Sequence, residues 1–204
     1  MIWGIILAAG EGKRIKGIKL TLPLGDKQLI EWVLQAAKLS PLDKFFLVVR
    51  PEDREIIKIG KTWGAEIVLN SEYRTGMSSS IRKALHQTSS EEVEGFLILL
   101  GDQPLITPSI IYRMIKAFTP GKKEIVVPFY KGKQGNPVLF DNYWREELMS
   151  LTGDVGGRVL IKAYPEKIKR VKILNESILL DIDREEDYEK IKSIFNSLQK
   201  MGRI

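Results

Sequence analysis

Six segments of this 204-residue sequence carry residues whose types and spacing could do chemistry. In Leu99-Leu100-Gly101-Asp102-Gln103-Pro104 a carboxylate follows directly on an apolar run. An acidic residue just past a buried strand suits Mg2+, which takes one or two carboxylates plus substrate phosphate oxygens. The plainer alternative is an Asp that shapes a turn. Leu180-Asp181-Ile182-Asp183 adds two carboxylates that alternate about Ile182. In a strand both would share one face and could complete a metal site begun by Asp102. Otherwise they are solvent-facing charges at a strand end.

The third segment, from Leu7-Ala8-Ala9-Gly10 through Gly12 and Arg14 to Lys19, is a glycine-rich basic loop after an apolar run. Glycines let the backbone approach a ligand and offer amide donors to phosphate oxygens. Arg14 and Lys19 add charge, with Lys19 suited to a polyphosphate as a point charge. The two common phosphate-loop patterns are not met, because Ile15 breaks one and Ile18 and Leu20 break the other. A basic glycine turn with solvated lysines is the alternative. In the fourth segment, Gly76-Met77-Ser78-Ser79-Ser80, a glycine precedes consecutive hydroxyls. This is the composition of a helix N-terminus that could face a nucleobase or an anion, or of a plain serine cap. Gly135-Asn136-Pro137 and Gly153-Asp154-Val155-Gly156-Gly157-Arg158 place polar side chains beside glycine, as sites do and turns do more often.

Composition narrows the chemistry. The chain has no Cys and one His, so disulfides, zinc–thiolate sites, iron–sulfur clusters and thiol nucleophiles are excluded, and a multi-His metal site with them. His86 reads as a surface residue. Carboxylates, Lys and Arg, hydroxyls, backbone amides and a hard metal ion remain, which points to phosphate chemistry. The net charge of +6 is spread among acidic neighbours rather than gathered in a stripe, which argues against a nucleic-acid-binding module. No targeting or membrane segment is read, since the apolar run at residues 2–9 is too short to span a bilayer; a cytoplasmic protein is expected.

The elements that must position these segments alternate. Residues 2–8, 45–49, 66–69 and 95–100 read as buried strands. Residues 27–39 have apolar side chains at helical spacing, a helix is expected from Pro51, and residues 78–86 read as another. Thr107 and Pro108 open a further helix as N-cap and first position. Strands at 125–127 and 137–140, helices at 141–151 and 156–163, strands at 168–174 and 178–182 and a closing helix at 184–198 complete the reading. Trp3, Trp32, Trp63, Phe96 and Trp144 are expected in the core. Strand–helix alternation predicts an α/β fold, three-layer α/β/α, with a mostly parallel sheet and antiparallel additions. In such sheets ligands sit beyond the carboxyl ends of the strands, where the chemical segments fall.

Taken together and in order, LAAGEGKR with Lys19, PLGDKQLIEWVL, GMSSSIRKAL, LLGDQPLITP, GNPVLF, GDVGGR and DIDREEDY resemble the MobA-like nucleotidyltransferases, and within them the molybdenum cofactor cytidylyltransferases. The resemblance implies one domain over 1–204 with a glycosyltransferase-A-like (Rossmann-like) fold. It implies Mg2+-dependent (or Mn2+-dependent) transfer of CMP from CTP to the terminal phosphate of molybdopterin. GTP, or another phosphorylated acceptor such as a sugar phosphate, is the alternative substrate. By position, Leu7, Ala8, Ala9, Gly10 and Gly12 would line the nucleotide, with Gly76, Ser78 and Ser79 beside it. Arg14 and Lys19 would bind the triphosphate. Asp102 would hold the metal, helped by Asp181 or Asp183, and Asn136, Asp154 and Arg158 would face the acceptor. The product would pass to a molybdoenzyme or its chaperone. Four positions depart from the family's usual residues: Lys16, Gln28, Asn136 and Arg184.

Overall fold

The computed structural model describes residues 1–10, 19–87 and 93–202. The strands are β1 (Ile2–Leu7), β2 (Pro23–Leu24), β3 (Lys27–Gln28), β4 (Lys44–Val49), β5 (Glu66–Leu69), β6 (Gly95–Leu100), β7 (Ile125–Tyr130), β8 (Lys133–Gln134), β9 (Val138–Asp141) and β10 (Ile168–Lys172). The helices are α1 (Leu29–Lys38), α2 (Arg54–Trp63), α3 (Met77–Gln87), α4 (Pro108–Ala117), α5 (Arg145–Ser150), α6 (Arg158–Ala163) and α7 (Glu185–Lys200). The main sheet runs β10-β7-β9-β6-β1-β4-β5, with β8 paired to β7. β6, β1, β4 and β5 are mutually parallel; β9 is antiparallel to both β6 and β7.

The strands carry apolar residues on both faces because helices cover both, as parallel sheets require. On one face Ile6, Leu47, Leu97 and Leu139 pack against Ile30 and Val33 of α1 and Ile111 and Met114 of α4. On the other, Ile5, Phe46, Phe96 and Phe140 meet Ile81 and Leu85 of α3, Leu148 of α5 and Leu160 of α6. A third, smaller cluster joins Leu24, Leu29, Leu105 and Ile182 to Tyr188, Ile191 and Phe195 of α7. Each fully buried Leu or Ile contributes about 1.5–3 kcal/mol, so a charge at Val33, which has no exposed surface, would break the α1 packing.

The alternation and the mixed sheet agree with the sequence reading. Several boundaries differ, each for a local reason. Residues 27–28 are not helical: β3 pairs antiparallel with β2 around Gly25 (φ 64°), and the Glu31 carboxylate accepts from the Gln28 N–H to start α1 at Leu29. Pro51 lies in a turn, and α2 begins only after Asp53. Residue 141 closes β9, and its carboxylate accepts from the Tyr143 N–H, so the helix expected from there begins at Arg145. Residues 178–182 are not a strand. A 3-10 turn, Glu176–Leu179, runs into an irregular segment. Trp32 and Trp63 are half-buried, while Trp3, Phe96 and Trp144 are core. Among the described residues no helix is long and apolar enough to cross a membrane.

Candidate active site

The carboxyl ends of β1, β4 and β6 open onto a cleft of about 650 Å3. Sheet-like bonding continues past the strands: the Ala8 N–H donates to the Val48 carbonyl (2.9 Å) and the Gly101 N–H to the Leu7 carbonyl (2.9 Å). A side chain at residue 101 would stand 3.1 Å from that Leu7 oxygen, so glycine permits the close approach that brings Asp102 beside the first loop. Leu7, Ala8, Ala9 and Gly10 therefore form one wall, with Asp102, Asp181 and Asp183 at one end.

That end is ionic. Lys19, mostly buried, donates to Asp102 Oδ2 at 2.7 Å and pairs with Asp183 Oδ1 at 3.5 Å. The other Asp102 oxygen, Oδ1, is buried with no hydrogen-bond partner among the described residues. Such an orphaned acceptor costs about 1–3 kcal/mol unless something satisfies it. The Asp181 side chain opens into the cleft, whose walls displace water from it. This desolvation, then the nearby Asp102 charge, pushes its carboxyl above the usual Asp range. A cation between Asp102 and Asp181 would relieve both the orphaned oxygen and the repulsion. No cluster of three metal-ligating side chains is preformed among the described residues. The carboxylate oxygens of Asp102 and Asp181 are the donors that a hard divalent cation takes together with substrate phosphate oxygens. Asp181 and Asp183 both face the cleft, as the sequence suggests, but no pleat aligns them. Ile182 is drawn inward between them, and its N–H donates to the Asp102 carbonyl (3.2 Å).

The far half of the cleft holds residues that the sequence reading did not single out. Arg50, directly after β4, donates from Nε and Nη2 to the Asp53 carboxylate at 2.7 and 2.6 Å. Asp53 is only 4% exposed, and its charge holds the Arg50 guanidinium above its ordinary range. Tyr73 lies within cation–π distance of Arg50 and Arg74, and its hydroxyl donates to Glu52. Position was the available signal, since Arg50 follows a buried strand just as Asp102 does.

The serine segment starts α3 as expected. Gly76 (φ 107°) touches the second glycine loop, and a Cβ there would lie 2.5 Å from the Asp154 backbone. Ser78 donates to the Gly153 carbonyl (2.7 Å) and Ser79 to the Gly76 carbonyl (2.8 Å), while Asn70 donates to the hydroxyls of Ser79 and Ser80. Ser78 and Ser79 are buried and tie loops together; Gly76, Met77 and Ser80 line the cleft. Asn136, Asp154 and Arg158 come together in a second cleft of about 380 Å3, joined by Lys162 and the apolar walls of Val138, Phe140, Val155 and Val159. Met77, Leu100, Asp154 and Asp181 line both clefts, which are therefore contiguous. Gly135 presses on the Ile178 carbonyl, which accepts from the Asn136 N–H at 3.0 Å, locking that loop to the turn before Asp181. His86 is exposed. Gly12 and Arg14 lie outside the described residues.

Residues 4–168 match the MobA-like NTP transferase domain. The purine catabolism protein PucB of Bacillus subtilis is 29% identical over 93% of this chain and 95% of its own length. The nicotine blue oxidoreductase of Paenarthrobacter nicotinovorans is 24% identical over 93% and 96%. The solved structure of Rv0371c from Mycobacterium tuberculosis, in complex with manganese, superposes with a TM-score of 0.80 at 26% identity over 94% and 97% of the two chains. With its doubly covered sheet, its glycine-lined cleft and this match over most of its length, the chain belongs to the MobA-like NTP transferase family and is a nucleotidyltransferase.

Proposed function

We propose that this nucleotidyltransferase moves CMP from CTP to the terminal phosphate of molybdopterin and releases pyrophosphate. The observation that carries the reading is the pair of contiguous clefts. One is walled by the Leu7–Gly10 backbone and ends in Lys19, Asp102, Asp181 and Asp183. The other is apolar, with Asn136, Arg158 and Lys162 around it. They meet at Asp154 and Asp181, where a phosphate presented from the second cleft would reach an α-phosphate held in the first. The second cleft suits a flat ring system with an anionic tail: Val138, Phe140 and Val159 give the ring apolar cover, and Arg158 and Lys162 meet the charge.

The chain's own residues do the positioning. The first-loop backbone and the Arg50–Asp53 side of the cleft hold the nucleoside. Lys19 holds the polyphosphate and takes up charge that develops on the leaving pyrophosphate. A divalent cation (Mg2+ or Mn2+), held by Asp102 with Asp181 or Asp183, would neutralise charge on the phosphate oxygens when bound; the manganese complex of the Mycobacterium tuberculosis relative supports this choice. The acceptor needs no general base, because a phosphate monoester has its second pKa near about 6 and is largely ionised at neutral pH. Catalysis by alignment and charge alone suits a cleft with no histidine in its lining. The Ala8-Ala9-Gly10 form of the first loop resembles the cytidylyltransferases of the family more than its guanylyltransferases, which supports CTP as the donor. The product would pass to a molybdoenzyme or its chaperone.

Pyrophosphate release across four nucleoside triphosphates, with and without molybdopterin, tests this. Release from CTP that requires molybdopterin is the expected result. Preference for GTP, dependence on a sugar phosphate instead, or no release at all would overturn the assignment. The last outcome matters because one relative bears an oxidoreductase name.

A further inference from the structure

The match to the family ends at residue 168, yet the second acidic segment and α7 lie beyond it. Three stretches of chain carry the ionic groups at the metal end of the cleft, and each sends apolar side chains into the same small cluster. The stretch after Lys19 contributes Leu24, with Leu22 packed against it. The stretch after Asp102 contributes Leu105. Between Asp181 and Asp183 comes Ile182, fully buried. This cluster is separate from the two that cover the main sheet. Its fourth side is α7, through Tyr188, Ile191 and Phe195 at helical spacing.

Direct bonds reinforce the packing. The Tyr188 hydroxyl donates to the Pro23 carbonyl at 2.7 Å. The Asp187 carboxylate accepts from the N–H groups of Asp183 (3.1 Å) and Arg184 (2.8 Å), so the first turn of α7 fixes the backbone that presents Asp183. The Phe195 ring meets Trp32 edge-on (centroids 4.7 Å apart) and fills the space beside Gly25, where a Cβ would come within 2.7 Å of it. Phe195 thus leans on the hairpin that follows Lys19, while Ile182 in the same cluster anchors the aspartates.

We propose that α7 is a positioning element for the metal end of the cleft, with Phe195 setting Lys19 and the Asp181–Asp183 segment against Asp102. It rests on the nucleotidyl-transfer reading only in taking that end to hold a divalent cation. The helix adds no ligand; it fixes the separation of groups that do the binding. Groups that orient metal ligands typically cost about 10–100-fold in affinity when removed.

Equilibrium binding of Mn2+, alone and with CTP but no acceptor, followed by electron paramagnetic resonance, tests this without turnover. In Phe195→Ala, affinity should fall about tenfold, and Phe195→Leu should recover most of it by refilling the space. Tyr188→Phe removes one hydrogen bond and nothing else. It should weaken Mn2+ about threefold, with an unchanged circular dichroism spectrum and a melting temperature lowered by only about 2–4 °C. Equal Mn2+ affinity in wild type, Phe195→Ala and Tyr188→Phe would overturn the proposal. So would an affinity loss in Phe195→Ala that Phe195→Leu does not recover. Should Phe195→Ala fail to fold, Tyr188→Phe decides alone. Absence of Mn2+ binding to the wild type both with and without CTP would instead overturn the metal assignment, and the proposal with it.

Discussion

The two clefts share four residues and a boundary, yet they are built from different materials. The first is walled largely by main chain at the ends of three parallel strands in the middle of the sheet, and two of its charges, Arg50 and Asp102, sit one and two residues beyond those strands. The second is walled by side chains from an antiparallel strand, a glycine loop and the six-residue α6. Backbone at strand ends is fixed by the sheet ladder and changes little with side-chain identity. A wall of Val, Phe and Arg side chains can be rewritten residue by residue. On the proposed reading the first cleft would hold the nucleotide, and the second would decide what receives the nucleotidyl group. Such a division would let relatives that share the fold bear different functional names.

Breaking the first cleft should have the largest effect. Asp102→Ala removes a carboxylate that faces Lys19 and carries an orphaned oxygen. We expect pyrophosphate release to fall about a thousandfold or more, since charge-stabilising groups in such sites supply about 10²–10³ each and the proposed metal ligand is lost as well. The circular dichroism spectrum should not change. Retention of full activity with CTP and Mg2+ would sink the metal assignment. Lys19→Ala should cost about a hundredfold in kcat. Lys19→Arg should recover only part, because a planar fork cannot replace a compact ammonium set between two carboxylates.

The first cleft was also the more legible in sequence, for the same physical reason. A fully apolar run followed at once by Gly-Asp, or by Ala-Ala-Gly, marks a strand end, and a strand end in a parallel sheet marks the cleft. Asp102 and the Leu7–Gly10 wall were readable on that basis, and Lys19 as a basic residue of the glycine-rich loop that follows. Arg50 carried the same positional signal without a motif to accompany it. Asp181 and Asp183 were readable as a pair sharing one face, though the assumed strand is absent. Burial of Ile182 under α7 does what a pleat would have done, and that depends on a long-range contact no local pattern shows. Ser78 and Ser79 were readable as a helix start. Their inward hydrogen bonds to Gly153 and Asn70 depend on loops 75 residues ahead and nine behind in the chain.

The second cleft should respond in a different kinetic constant. Arg158→Ala removes a charged donor from its lining, a loss of about 2 kcal/mol, or roughly thirtyfold, in acceptor binding. The effect should appear in the KM for molybdopterin and leave the KM for CTP within about twofold, since Arg158 does not line the first cleft. Equal changes in both constants would show that the clefts do not divide the substrates, and the comparison would fail. Lys162→Ala, one helical turn further along α6, should act in the same direction with a smaller effect because lysine offers a point charge rather than a fork.

The smallest expected effect is also the most discriminating. Val159 lines the second cleft, yet 43% of its surface is exposed, so little fold stability rests on it. Val159→Thr keeps the shape and exchanges one methyl group for a hydroxyl. If the second cleft binds its acceptor by apolar cover, the buried hydroxyl should cost about 1 kcal/mol, or roughly fivefold in acceptor KM, with the melting temperature and the CTP constants unchanged. If the acceptor were held by charge alone, threonine would be silent while Arg158→Ala kept its full effect. A flat ring system with a phosphate tail should register both substitutions. A small phosphorylated sugar, which offers hydroxyls to the same wall, should tolerate threonine or gain from it. The sign of this one change thus separates the two acceptor classes that the shape of the cleft admits.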